Sequence, residues 1–323
     1  MESLEFVPRP ETDKSEIVFT FHANCHDTSK GILHRNMLEL WKKKFTTAQY
    51  SMEYRRPTVF VLSQWQTSSK PTLLYLIYKW AITIFFIVSW VVSIIDIPHL
   101  NEPNFNHAKW LIYLTNWGFT MCTIQSLLST TMVTICYSVP SHDSETSTSQ
   151  DHKILGLYKV YWVTNIIATD IAFGITIVYW TLLYDAKYVP LSAVNIIVHA
   201  FNSVIMFIEL CVARHPVRLI HFYWPLIFGG CYICFTIIYY FSGGTGKDQT
   251  PAIYPILNWS KGEMTAIVCV VVCVFVVFLH ILTYGIFKLR KVFHKKWFQV
   301  KDERLSLEVG KDNPISVLPN DLV

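Results

Sequence analysis

Charge is scarce in this chain. Asp, Glu, Lys and Arg make up 15% of its 323 residues, against about a quarter in soluble globular domains. That shortage, with 52% hydrophobic residues and a mean hydropathy of +0.33, excludes an ordinary soluble domain and fits a polytopic membrane protein. Disulfide scaffolding is missing as well. Of eight cysteines only Cys25 lies outside an apolar run, and no outer loop contains one, so a stapled ectodomain is excluded. The first 70 residues hold no short apolar core, so no cleavable signal peptide is expected. The net charge of +4 reads as a topology signal rather than a nucleic-acid footprint, and no nucleic-acid partner is expected.

What is present is a set of six apolar stretches of spanning length: residues 73–95, 110–136, 157–184, 192–213, 219–241 and 264–287. They predict an all-α polytopic bundle of six transmembrane helices. Its parts are a tail over 1–72 with an interfacial amphipathic segment, the membrane domain over 73–288, and a second tail over 289–323. Arg55, Arg56, Lys70, Lys153, Arg214, Arg218, Lys288, Arg290, Lys291, Lys295 and Lys296 flank the spans on one side. Lys109, Lys187, Lys247 and Lys261 flank them on the other. The bias of eleven to four places both termini in the cytoplasm.

Residues 36–54 repeat Met37, Leu40, Trp41, Phe45, Ala48 and Met52 at helical spacing beside Lys42, Lys43 and Lys44. This predicts a helix lying on the anionic inner leaflet or packed under the bundle. His22, Cys25 and His26 lack a fourth ligand at a sensible spacing, so no metal site is expected. The segment 138–151, rich in Ser, Thr, Asp and Glu, reads as a flexible loop. The apolar end Asn320-Asp321-Leu322-Val323 is of the kind a PDZ-type groove accepts.

Polar residues inside the apolar runs are the candidate functional groups, because a lipid-facing ionisable side chain is costly. In the fourth run Asn195, His199, Asn202 and Glu209 fall within about 80° on an ideal helix. Asp170 sits near the middle of the third run and calls for a hydrogen-bonding partner. The second run is dense in hydroxyl residues, mostly of the kind that bridge helices. His199 and His280 lie at depths differing by roughly 12 Å, so they cannot share one haem iron, and no cofactor is expected. A proton relay through Asp170, Glu209 and His199 would suit a transporter, yet the chain shows no inverted repeat. Between the last two runs, Gly243-Gly244-Thr245-Gly246 and the stretch 251–259 suggest an ordered lid over the bundle mouth. The sequon Asn258-Trp259-Ser260 sits too close to the sixth run to be used.

Several words of this sequence resemble one family. They are Arg56-Pro57 through Gln64-Trp65, Tyr113-Leu114-Thr115-Asn116-Trp117, His199-Ala200-Phe201-Asn202-Ser203-Val204, Pro216-Val217-Arg218-Leu219, Tyr239-Tyr240 with Gly243-Gly244-Thr245, and Ile253-Tyr254-Pro255 through Asn258-Trp259. From Arg56 to Lys291 the chain resembles the rolling stone family of multipass proteins. Asn258 departs from the family pattern, where an Asp usually precedes the Trp. The resemblance implies a plasma-membrane role in cell fusion, myoblast fusion above all, or in differentiation, with the endoplasmic reticulum as the other candidate location.

A more distant similarity is to the androgen-induced-gene family of membrane threonine hydrolases, which act on fatty acid esters of hydroxy fatty acids. The matching words are Leu114-Thr115-Asn116-Trp117 and Asn195-Ile196-Ile197-Val198-His199. This similarity implies Thr115 as nucleophile and His199 as its base, with Asn195 or Asn202 orienting the ring and a lipid ester as substrate. The alternative for the same two residues is a buried hydrogen bond joining two helices.

Overall fold

The computed structural model describes residues 50–95, 106–138, 144–185, 191–246 and 249–312. Most of the expected interfacial segment and the PDZ-type end lie outside them. Six helices are long and apolar enough to cross a membrane. They are α1 (Leu73–Ile95), α2 (Leu114–Ser138), α3 (Ser144–Val178, continued by a π-helical turn over Tyr179–Leu183), α4 (Ala193–Val212), α5 (Tyr223–Phe241) and α6 (Gly262–Asp312). No strand occurs among the described residues; backbone bridges are limited to isolated pairs such as Ser63 with Ala213.

Two boundaries differ from expectation. Helix α3 begins at Ser144, inside the stretch expected to be a loop. Helix α6 runs unbroken to Asp312 although its apolar run ends near 287. From 288 to 309 the chain has neither Gly nor Pro, so nothing in the backbone stops the helix once its apolar part is fixed.

α3 is the central rod and touches α2, α4, α5 and α6. Close approach to α2 is possible because position 118 has no side chain. A Cβ at Gly118 would stand 2.6 Å from Cδ1 of Ile175 and 2.7 Å from Cγ2 of Ile171. Small Ala168 and Ala172 pack with Phe86, Phe119 and Met206 in mid-bundle, while Phe60, Tyr158, Tyr161 and Trp162 fill one end. The outer surface is apolar: Leu74, Ile84, Val88, Val204, Phe207, Val270 and Phe278 are all exposed. A monomer in water does not carry such a belt; a bilayer requires it.

One end of the bundle is closed by the chain before α1. Phe60, Val61 and Leu62 are buried there. The backbone N–H of Gln64 donates to Val212 at 2.7 Å, and that of Arg214 donates to Leu62 at 3.0 Å. The guanidinium of Arg218 donates to the carbonyls of Ser51 and Glu53 and lies over Trp162. Basic residues that read as topology markers therefore also clamp the entering chain.

At the other end the Gly-rich loop is held just as tightly. Lys109 donates to Thr245 Oγ1 at 3.1 Å and to the Gly246 carbonyl at 2.5 Å. Tyr239 packs so closely on Gly244 that a Cβ there would fall within 2.3 Å of its ring. Gly243 has φ +79°, a conformation glycine adopts readily.

Candidate functional site

The candidate residues sort into three places. The first is a cavity of about 140 Å³ among α2, α3, α5 and α6, lined almost wholly by carbon. Thr115, Tyr232 and Tyr254 line it, with Ile256 and Leu257 of the loop, and Asp170 reaches it too. The loop expected to act as a lid thus supplies part of the cavity wall. Tyr232 donates its hydroxyl to the Ile112 carbonyl at 2.7 Å. Tyr254 has Thr115 as a hydrogen-bonding neighbour, and burial pushes its phenol up to about 12, so it stays neutral. Asn258 caps the turn that leads into α6: its Oδ1 accepts from the Ser260 N–H at 3.1 Å and from Ser260 Oγ at 2.7 Å. The bonds engage the amide oxygen of the sequon asparagine.

The second place is the seam between α3 and α4. Residues Ile197–Phe201 form a π-helical turn, and its extra residue rotates the second half of α4 relative to the first. The stripe expected on one face is split. Asn202 and Glu209 are buried, while Asn195 and His199 are only partly so. The carbonyl of His199 receives Thr176 Oγ1 at 2.7 Å and Trp180 Nε1 at 3.2 Å, outside donors of the kind a π turn needs. Ser203 Oγ lies against Thr176 Oγ1 and donates to the Ala172 carbonyl at 2.6 Å. Asn202 Oδ1 accepts the Ser203 N–H at 2.7 Å. The imidazole of His199 lies flat on Tyr179, centroids 3.4 Å apart. Tyr179 lines the cavity and His199 does not. Thr115 and His199 make no hydrogen bond to each other; their contacts run to Tyr254 and Tyr179.

The third place is a pair of buried charged clusters. Asp170 Oδ2 lies 2.7 Å from His280 Nδ1, and Thr283 Oγ1 donates to Asp170 Oδ1 at 2.7 Å. His280 Nε2 lies 2.9 Å from the Arg218 carbonyl. A carbonyl only accepts, so Nε2 carries a proton. One further proton is then shared between Nδ1 and Oδ2, making the pair either imidazolium with carboxylate or imidazole with carboxylic acid. Both members are fully buried. In the other cluster Glu209 pairs with Lys79 of α1 and accepts the Tyr78 hydroxyl at 3.0 Å. The Lys79 ammonium lies over the rings of Tyr75 and Tyr161, at 5.3 and 6.0 Å from their centroids. Arg290 donates to the carbonyls of Leu210, Ala213 and His215, where the negative end of α4 suits a cation.

The family profile described as Protein rolling stone matches residues 32–305. The chain belongs to the rolling stone family. It is 30% identical to the Protein rolling stone of Drosophila melanogaster over 261 residues, which is 79% of this chain and 91% of that relative. No solved structure matches. The rolling stone match takes in all six membrane-spanning stretches and every residue of the cavity, the seam and both charged clusters.

Lys79, His280, Thr283 and Arg290 are partners that the sequence alone does not point to. A lone Lys six residues into an apolar run reads as a side chain that snorkels to the surface. The only available hint was that Asp170 and Glu209 both required a partner.

Proposed function

We propose that this member of the rolling stone family is a plasma-membrane multipass protein that acts in cell fusion or differentiation. What supports the reading is the similarity to the Drosophila protein across nearly all of that relative's length. The test is a rescue: myogenic cells depleted of the protein are resupplied with wild type, and the fraction of nuclei in multinucleate cells is counted. Restored fusion is expected. Unchanged fusion on depletion, with the protein confined to internal membranes, removes the reading.

A second reading, an intramembrane threonine hydrolase of lipid esters, is favoured by one observation: the Thr115 hydroxyl borders a cavity whose walls suit an acyl chain. Against it stands His199, turned to Tyr179, with Nδ1 buried and unpartnered. A Thr nucleophile needs a base within hydrogen-bond reach. Purified wild type, Thr115→Ala and His199→Ala are to be compared with a fluorophosphonate probe and a panel of lipid esters. Labelling and turnover lost in both variants support the hydrolase. Absence of turnover in wild type leaves the cavity a non-catalytic site.

A further inference from the structure

We propose that a groove between α4 and α6, at the end of the bundle where the entering chain is clamped, binds an anionic phospholipid of the bilayer. The groove measures about 590 Å³, within the roughly 300–1,000 Å³ typical of ligand sites. Its walls are Phe207 and Cys211 of α4 and Leu289 and Phe293 of α6, a carbon surface matched to an acyl chain. Two indoles frame it. Trp65 is fixed by a 2.9 Å hydrogen bond from its Nε1 to the Cys211 carbonyl, and Trp297 is 66% exposed. Paired indoles of this kind mark the depth of lipid headgroups.

The charge of the groove decides which lipid it takes. Its charged lining residues are Arg290 and Lys296, and no acid is among them. Arg290 spends both terminal nitrogens on backbone carbonyls of the α4 end. Lys296 makes no ion pair among the described residues and remains for the phosphate of a phospholipid headgroup. A zwitterionic lipid is neutral overall, whereas an anionic one brings the net negative charge that the site lacks. Cationic pockets between spanning helices select anionic headgroups for the same reason.

The full-length protein, purified in mild detergent, is to be titrated with phosphatidylserine, phosphatidylcholine or oleate, and bound lipid counted by native mass spectrometry. One phosphatidylserine is expected to stay bound when phosphatidylcholine does not. Lys296→Glu should weaken it at least about fivefold, from roughly 1 kcal/mol per basic group at a membrane surface. Lys295→Glu, one residue along and not part of the groove, should leave it unchanged. Cys211→Trp should abolish it by filling the groove, with the thermal midpoint of that variant reporting that it still folds. Equal retention of phosphatidylserine and phosphatidylcholine, equal binding of oleate, or equal losses for Lys295→Glu and Lys296→Glu overturns the proposal.

Discussion

Lys79 and Glu209 belong to helices far apart in sequence, and each is a charge the bundle could not hold alone. Replacing Lys79 by Met leaves the Glu209 carboxylate among tyrosines without its direct partner. Breaking a buried pair from one side costs about 3–5 kcal/mol, so Lys79→Met and Glu209→Met should each lower the thermal midpoint of the solubilised protein strongly. The double variant removes both charges and should recover most of the loss. Additive losses in the double variant would mean that the two side chains do not act as a pair. A second test at this scale concerns Gly118. Ala at that position forces Ile171 and Ile175 off the α2–α3 contact at a cost of about 1–3 kcal/mol. Gly229, whose Cβ would meet nothing within 4 Å, serves as the control and should tolerate Ala.

At the scale of the element, the turn from Ala213 to Arg218 carries a consequence in pH. His215 is buried between Phe60 and Tyr161. Burial first, then the nearby cations Arg290 and Lys79, hold its imidazole well below the ordinary value of 6.5. A base whose folded value is depressed stays neutral in the native state while the unfolded chain takes up a proton. Its contribution is therefore intact above about 6.5 and declines as the pH falls. The thermal midpoint should drop between pH 7 and pH 5, and His215→Phe should flatten that drop; an unchanged slope would remove His215 as the cause. The neighbouring π turn makes a different point. Thr176→Val deletes the shorter of the two hydrogen bonds to the His199 carbonyl and should cost about 1 kcal/mol, read as a lower midpoint. The six spans were legible because an apolar run of some 20 residues has one physical reading. The π turn was not, since its residues keep the same hydrophobic character whichever way the helix winds. Asp170 was legible as a residue in need of a partner; that the partner is His280, 110 residues away, depends on packing that one sequence does not encode locally.

For the molecule as a whole, the open matter is which way it faces. Three of the eleven basic residues behind the predicted orientation are partly or wholly internal: Arg214 donates to the Gln66 carbonyl, Arg218 to Ser51 and Glu53, and Arg290 to the end of α4. Side chains committed inside the protein weaken as topology signals; Lys109 on the other side is committed in the same way, and eight against three keeps the sign. Six crossings put the two termini on one side, and we propose from the bias that this side is the cytoplasm, with the loop that walls the cavity outside. Thr250 is exposed on this loop, and apart from Cys25 the native cysteines fall within the apolar runs. Thr250→Cys should therefore react with a membrane-impermeant maleimide on intact cells, while epitope tags at either terminus should need permeabilisation before an antibody reaches them. On the proposed orientation the groove between α4 and α6 faces the anionic leaflet. Maleimide labelling that appears only after permeabilisation would invert the molecule and move that groove to the leaflet poorest in the lipid it is proposed to hold. A tag stained on one terminus alone would mean that one of the six helices does not cross.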